Sequence, residues 1–179
     1  ETFCGMNERG VVVCAERIVT YTDADGLPIG LFLRDVLKSA KTADQALTRV
    51  KEYTHQYGYR ILIAAPKSVM EHPTAYVVEL GKKPVVRKPS KGFILGAPLE
   101  SQPEDSRYAQ LHKILGNEHI ISASKAKRAF EQCVGDTCFM AVFEPKSRSI
   151  EVAFPNEQGD VEGYMTVILK DSANELHRP

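Results

Sequence analysis

The side chains most able to do chemistry in this sequence are four cysteine thiols, at Cys4, Cys14, Cys133 and Cys138. A thiol acts as a nucleophile only as the thiolate, so its surroundings decide its reactivity. Cys14 stands in an apolar run, which predicts a buried and inert thiol. Cys4 precedes a glycine and could be exposed, and cleavage of the peptide bond before it would give it a free α-amine to act as a base. Cys4 is therefore one candidate nucleophile.

The two later cysteines flank a predicted turn at Gly135-Asp136. Their spacing leaves two alternatives open, a disulfide in an oxidising compartment or two free thiols. No pair of cysteines has the Cys-x-x-Cys spacing typical of zinc and thioredoxin-like sites, and no two of the five histidines are paired at helical spacing. The sequence also lacks a phosphate-binding glycine loop and a Gly-x-Ser-x-Gly elbow. We therefore predict no metal site and no cofactor.

The composition is that of an ordinary globular protein. Of 179 residues, 26% are charged and 43% hydrophobic. The 23 basic and 23 acidic residues cancel, so no long-range field would attract nucleic acid or anionic lipid. No apolar run approaches the roughly 20 residues of a membrane helix, so we expect neither a nucleic-acid nor a membrane partner. The sequence opens without an initiator methionine, so either a leader was removed or it begins inside a longer protein, and localisation cannot be read from it.

Hydrophobic periodicity predicts the elements that must position these groups. A continuous run of apolar and β-branched residues predicts a long strand over 10–21. Helical spacing of apolar residues predicts a helix over 31–40, and Thr42 with Gln45 three residues later predicts the capped beginning of a second helix. Shorter strands are predicted at 59–64, 75–80, 84–87 and 93–95.

In the second half of the sequence, two predicted helices are followed by predicted strands. Apolar spacing predicts one amphipathic helix through Tyr108 and Leu115 and another through Ala126 and Ala129. Strands are predicted at 138–143, 149–154 and 164–169. Closely spaced strands favour antiparallel pairing, and pairs of helices beside them predict an α+β layered sandwich. We expect a single domain over 1–179, with 171–179 as a flexible tail.

Several short segments follow one another in a particular order along the chain. They are Gly5-Met6-Asn7-Glu8-Arg9-Gly10, Gly26-Leu27-Pro28, Leu33-Arg34-Asp35, Val77-Val78-Glu79, Ser106-Arg107-Tyr108 and Phe143-Glu144-Pro145. This order resembles that of the choloylglycine hydrolase and acyl-coenzyme A:6-aminopenicillanate acyltransferase families of N-terminal-nucleophile (Ntn) hydrolases. The chain is similar to the C-terminal two-thirds of such an enzyme. The resemblance implies a four-layer αββα sandwich, incomplete at its N-terminal edge, and cleavage or transfer at a linear amide bond.

The resemblance also implies where catalytic groups should lie. The nucleophile of these families is an N-terminal cysteine whose own α-amine is the base, and it would lie upstream of Gly5, outside this sequence. Arg107 in the Ser-Arg segment matches a family catalytic position, and Asn7 is a further catalytic candidate. Two family oxyanion positions that carry asparagine fall on Arg17 and Gly96, which become candidate substrate-binding positions that depart from the pattern.

Two functions stay open on these residues. Either the chain is part of an Ntn amide hydrolase or acyltransferase that acts on a small acyl-amide or acyl-coenzyme A ligand, or it is a non-catalytic binding or assembly module derived from that fold. Whether it is an enzyme is therefore open, and Arg107 either serves catalysis or pairs with Asp105 or Glu104. A sheet edge left uncovered at the N-terminal end predicts a homodimer or a complementary N-terminal chain.

Overall fold

The computed structural model of the chain describes residues 2–22, 25–54, 57–66, 75–81, 83–88, 111, 113–115, 122–132, 140–154, 156, 161 and 163–169. These residues belong to two compact units. The first unit takes in Glu1–Pro89, Pro145–Ser149 and Ile168–Pro179, and the second takes in Ser90–Glu144 and Ile150–Val167. The single domain over 1–179 stays a prediction, and the expected flexible tail at 171–179 lies outside the described residues.

The first unit is built on a five-stranded antiparallel sheet in the order β1-β2-β3-β4-β5. Its strands are β1 (Thr2–Met6), β2 (Val12–Thr22), β3 (Tyr57–Ala64), β4 (Ala75–Leu80) and β5 (Val85–Arg87). The predictions at 10–21, 59–64, 75–80 and 84–87 are confirmed to within a few residues, whereas β1 was not predicted. The predicted strand at 93–95 lies outside the described residues.

Two helices cover one face of this sheet. Helix α1 (Ile29–Ser39) begins two residues before the predicted segment, directly after Pro28, and buries Ile29, Phe32, Leu33 and Val36. Pro28 is the N-cap residue of α1, with a non-helical ψ of 133°, and its side chain makes no capping hydrogen bond. Helix α2 (Ala43–Lys51) buries Ala43, Ala46, Leu47 and Val50. The apolar faces of α1 and α2 pack on the sheet, where alternate strand residues point toward the helices. These strand residues are Val13, Ala15, Tyr59, Ile61, Ile63, Tyr76, Val78 and Leu80.

The predicted cap of α2 is confirmed. The Thr42 hydroxyl accepts a hydrogen bond from the Gln45 backbone N–H at 3.2 Å, and the Gln45 side-chain oxygen accepts one from the Lys41 backbone N–H at 2.8 Å. These bonds satisfy backbone donors that the helix itself leaves without partners.

Replacing Thr42 with alanine is expected to lower the free energy of unfolding by about 1 kcal/mol, because the first turn of α2 loses its acceptor. Thr48→Ala in the same helix is the matched control. The Thr48 hydroxyl donates at 3.0 Å to the Asp44 carbonyl oxygen, which is a local bond in solvent. Urea denaturation should therefore show a change within about 0.5 kcal/mol for Thr48→Ala. Equal effects of the two substitutions would contradict the capping role.

Two buried tyrosines fix the helices to their surroundings through their hydroxyls. The Tyr76 hydroxyl donates to an oxygen of the Asp44 carboxylate, and the Tyr53 hydroxyl donates to the Leu27 carbonyl oxygen. The Tyr53 ring also stacks on Phe32, with centroids 3.8 Å apart. Burial raises the pKa of both phenols to about 12, and for Tyr76 the bond to Asp44 adds to the shift. The side of the sheet facing α2 is therefore tied to the first turn of that helix.

The raised pKa of Tyr76 predicts a loss of stability in alkali. Its folded-state pKa of about 12 lies above the ordinary value of 10.0, so the stabilisation is complete below pH 10 and is lost as the pH rises through about 12. We therefore expect Tyr76→Phe to be less stable than the parent near neutral pH, with the difference shrinking in alkali. Urea denaturation over a series of alkaline pH values measures this difference, and a constant difference would contradict the assignment.

The second unit combines one described helix with most of a three-stranded sheet. Helix α3 (Ala123–Glu131) precedes β6 (Met140–Glu144), β7 (Ser149–Ala153) and β8 (Met165–Ile168), and the sheet order is β6-β7-β8. Lys127 of α3 forms an ion pair with Glu151 of β7 at 2.5 Å, which ties the helix to the sheet. The strands predicted at 138–143, 149–154 and 164–169 are thus confirmed, and the whole is an α+β protein. None of the described helices is long and apolar enough to cross a membrane.

Candidate functional site

The beginning of the chain forms a β-hairpin that was not predicted. The turn between β1 and β2 is closed by the Asn7 backbone N–H, which donates to the Val11 carbonyl oxygen at 3.0 Å, and by the Gly10 N–H, which donates to the Asn7 carbonyl oxygen at 2.9 Å. Gly10 has φ of 78°, in the left-handed region that glycine adopts without a steric penalty. This turn fixes the register in which Cys4 lies directly opposite Cys14.

Both thiols lie on the face of the sheet that points away from α1. A Cβ atom on Gly5 would come within 2.6 Å of the Leu37 side chain of α1, so Gly5 faces the helix. Since successive residues of a strand point to opposite faces, Cys4 faces the other way, and its partner Cys14 shares that face. Cys4 is exposed and Cys14 is partly buried, less so than the fully buried thiol that the apolar run predicted.

The two sulfur groups affect each other's ionisation. A hydrogen bond from Cys14 lowers the pKa of Cys4, and this effect outweighs the partial burial of Cys4, which acts in the opposite direction. The same bond raises the pKa of Cys14, and burial raises it further. Cys4 is therefore the thiol that ionises first, with Cys14 as its hydrogen-bond donor. A stabilised, accessible thiolate is the form in which cysteine attacks electrophiles.

A row of alternating charges crosses the same sheet face next to the thiols. Arg60 of β3 lies 4.0 Å from the Glu16 carboxylate and 3.5 Å from that of Glu79, and Arg87 lies 3.6 Å from the other oxygen of Glu79. The Arg60 side chain is 14% exposed, so its ion pairs are the more protected part of this row. Two positive and two negative groups cancel, and the row links four neighbouring strands without creating a charged patch.

The Asn7 side chain makes four hydrogen bonds to the backbone. Its amide nitrogen donates to the carbonyl oxygens of Leu37 at 2.7 Å and Ala40 at 2.8 Å, at the end of α1. Its oxygen accepts from the backbone N–H groups of Arg9 at 3.1 Å and Val11 at 3.0 Å. Both amide hydrogens are thus engaged, and the residue is 8% exposed. The geometry supports a structural role for Asn7, and its catalytic role stays a prediction.

Arg17 lies apart from the thiols. It is exposed, three residues along β2 from Cys14, and strand alternation puts it on the opposite face of the sheet. Its guanidinium carbon lies 3.7 Å from the centroid of the Tyr57 ring, a cation–π contact that orders the side chain. Its substrate-binding role stays a prediction.

The remaining predicted site residues are not described. Arg107, Gly96, Cys133 and Cys138 lie outside the described residues, so the structure does not bear on these four. Among the candidates that it describes, it brings together Cys4 and Cys14. Within the described ranges, no group of three or more His, Cys, Asp or Glu side chains is arranged to hold a metal ion.

The pairing of Cys4 with Cys14 is the feature that the sequence analysis missed, although a signal was present. Asn7-Glu8-Arg9-Gly10 has the polar, glycine-containing composition of a short hairpin turn. Had a five-residue turn over 7–11 been recognised, Cys4 and Cys14 would each have been found five residues from its central residue, Arg9. Each thiol was instead judged from its own neighbours in sequence, which cannot show a cross-strand partner.

Residues 2–94 match the family model described as acyl-coenzyme A:6-aminopenicillanic acid acyl-transferase. This is slightly more than half of the chain, and it spans all five strands of the first sheet with α1 and α2. The match lies in the N-terminal half, so it does not match the placement of the chain as the C-terminal two-thirds of such an enzyme. Arg107 lies beyond the matched residues. A search of curated proteins found no match to the chain.

Proposed function

Because this chain belongs to the acyl-coenzyme A:6-aminopenicillanic acid acyl-transferase family, we propose that it forms part of an acyltransferase or linear amide hydrolase of the Ntn type. The observation that carries the proposal is the family match, which takes in the whole five-stranded sheet and both helices that cover it. The substrate would be a small acyl amide, or an acyl-coenzyme A as the acyl donor.

The nucleophilic cysteine of this proposal lies outside the 179 residues. An Ntn nucleophile needs an α-amine beside its thiol, and both described thiols belong to residues inside strands, where the backbone nitrogen is part of a peptide bond. Cys14 is further disfavoured because its pKa is raised by Cys4 and by burial. Cys4 could serve only after cleavage between Phe3 and Cys4, which would remove two residues of β1.

The position of β1 supports a complementary strand as the source of that nucleophile. Among the described strands, β1 lies at one edge of the five-stranded sheet. An edge strand offers a row of backbone donors and acceptors to a further strand. We propose that a cysteine-headed segment, or a second copy of the chain, pairs along this edge. The complete enzyme would then have the αββα layers.

The activity of the chain by itself is the first test. We expect the 179-residue chain alone to release amine from N-acyl amides at no more than the uncatalysed rate, because the attacking group is missing. The native protein, isolated from its source and identified by intact mass and N-terminal sequencing, is expected to contain a cysteine-headed segment and to be active. Iodoacetamide should abolish that activity and label the N-terminal cysteine. A native protein without such a segment, or activity that depends on Cys4, would overturn the proposal.

A non-catalytic binding or assembly module is the second candidate. It is supported by the family resemblance, which puts Arg17 at one position that carries an oxyanion asparagine and Gly96 near a second such position. Loss of one such donor typically lowers the rate by about 10²- to 10³-fold. This candidate predicts that the native protein binds acyl amides without hydrolysing them, even when the cysteine-headed segment is present. If the native protein is active, Arg107→Gln should reduce kcat more than KM, because we propose that the guanidinium acts on the reacting groups.

A further inference from the structure

We propose that Cys4 and Cys14 form a reversible cross-strand disulfide, so that the hairpin is a thiol–disulfide exchange site for small disulfides such as oxidised glutathione. This inference goes beyond the proposed acyl-transfer function and does not depend on it. It rests on the register of two adjacent strands and on the exposure of Cys4, and the lowered pKa of Cys4 supports it.

The register places the two residues in the pairing geometry that a disulfide requires. The Asn7 N–H to Val11 bond marks the Asn7–Val11 pair as a hydrogen-bonded pair of the antiparallel ladder. Hydrogen-bonded and non-hydrogen-bonded pairs alternate along such a ladder, and Cys4–Cys14 lies three pairs further on, so it is a non-hydrogen-bonded pair. Opposed Cα atoms in such pairs are about 4.5 Å apart, within the roughly 4.4–6.8 Å span of disulfides.

The two thiols differ in exposure and in pKa, and this difference makes Cys4 the attacking thiol and Cys14 the resolving thiol. Cys4 is exposed and its pKa is lowered by the hydrogen bond from Cys14, so its thiolate attacks one sulfur of glutathione disulfide. A Cys4–glutathione mixed disulfide forms, and one glutathione thiolate leaves and takes a proton from water. The bond that chiefly raised the pKa of Cys14 is then lost, because Cys4 is no longer a thiolate.

Cys14 completes the reaction. Its thiol releases a proton to water and attacks the Cys4 sulfur, which expels the second glutathione thiolate. That thiolate is protonated by water in turn. In total, two protein thiols are oxidised to one disulfide, and one glutathione disulfide is reduced to two glutathione thiols. The reverse sequence, with reduced glutathione in excess, restores both thiols.

The test uses glutathione redox buffers and the arrangement of tryptic sites. Trypsin cuts after Arg9 and Arg17, so Cys4 and Cys14 fall in separate peptides, 1–9 and 10–17. In the Cys133→Ser/Cys138→Ser background, we expect oxidation to link these peptides and to lower the intact mass by about 2 Da, the two hydrogens lost. Reduced glutathione should reverse the link. Peptides that remain unlinked in fully oxidised buffer would overturn the proposal, and this readout needs no substitution at Cys4 or Cys14.

Two single variants test the order of the steps. Cys14→Ser lacks the resolving thiol, so Cys4 should be trapped as a mixed disulfide, with about 305 Da added by one glutathione. Cys4→Ser should form this adduct at least about tenfold more slowly, because Cys14 is partly buried and is not the favoured thiolate. Circular dichroism checks that both variants are folded. Equal adduct formation by the two folded variants would overturn the assignment of Cys4 as the attacking thiol.

Discussion

Asn7→Ala is expected to lower the free energy of unfolding by about 3–4 kcal/mol, because it leaves several buried backbone groups without partners. The substitution removes the two donors that satisfy the Leu37 and Ala40 carbonyl oxygens and the acceptor that satisfies the Val11 N–H. These groups lie at the junction of the hairpin with the end of α1. Urea denaturation followed by circular dichroism measures the loss.

Two further substitutions make this prediction specific. Glu8→Ala alters an exposed side chain of the same turn and should change stability by no more than about 0.5 kcal/mol. Asn7→Asp keeps the shape and the acceptor, but an ionised carboxylate would face two carbonyl oxygens. We expect it to be more destabilising at neutral pH than in acid, where the carboxyl is protonated and can donate one hydrogen bond. If Asn7→Ala were as mild as Glu8→Ala, the four hydrogen bonds would not hold the hairpin to α1.

Gly10→Ala is expected to lower the free energy of unfolding by about 3–5 kcal/mol, for two additive reasons. The residue has φ of 78°, a left-handed conformation that costs an alanine roughly 1–2 kcal/mol. A Cβ atom here would also collide with the carbonyl oxygen of Pro145 and would lie 2.8 Å from the Pro66 side chain. The Pro145 backbone and the Pro66 ring are both rigid, so neither can move aside without a further loss of stability.

Gly81→Ala is the matched control for this substitution. A Cβ atom on Gly81 would meet nothing within 4 Å, and its backbone is outside the left-handed region. Its stability should therefore change by no more than about 0.5 kcal/mol in the same urea denaturation. A Gly10→Ala variant as stable as Gly81→Ala would show that the turn can adopt another conformation, and the register that pairs Cys4 with Cys14 would no longer be fixed by it.

Both predictions concern the hairpin because the hairpin determines the chemistry of the thiols. Slippage of β1 by one residue would turn Cys4 to the opposite face of the sheet and away from Cys14. Two constraints oppose this slippage. Gly10 fixes the turn, and the Asn7 amide ties that turn to the carbonyls that end α1. Variants at either position should therefore also weaken the Cys4–Cys14 disulfide, which the linked tryptic peptides would show directly.

The elements that the sequence predicted well are those whose signals are local. The cap formed by Thr42 and Gln45 lies within one turn of α2, and the apolar spacing of α1 lies within three turns. The β-branched residues of β2 likewise predict a strand without reference to any other part of the chain. Such signals depend on neighbours in sequence, so periodicity and capping chemistry are sufficient to find them. The family resemblance was also read from short local segments, and residues 2–94 match that family.

The candidate site could not be read in the same way. Asn7 was selected for possible catalysis, yet its side chain bonds to carbonyls 30 and 33 residues away along the chain. Cys14 was expected to be buried and inert, yet it is only partly buried and is paired with an exposed thiol on the adjacent strand. In both cases the residue type and its flanking sequence were known, and the partner was not.

The sequence by itself determined the order of the described helices and strands after β1, the capped beginning of α2 and the family, because periodicity, caps and short motifs act over a few residues. Only the tertiary structure decided that Cys4 meets Cys14 and that Asn7 joins the hairpin to α1. The physical reason is that strand register and helix docking are set by contacts between distant residues, and a shift of one residue would change the partner of every side chain in β1.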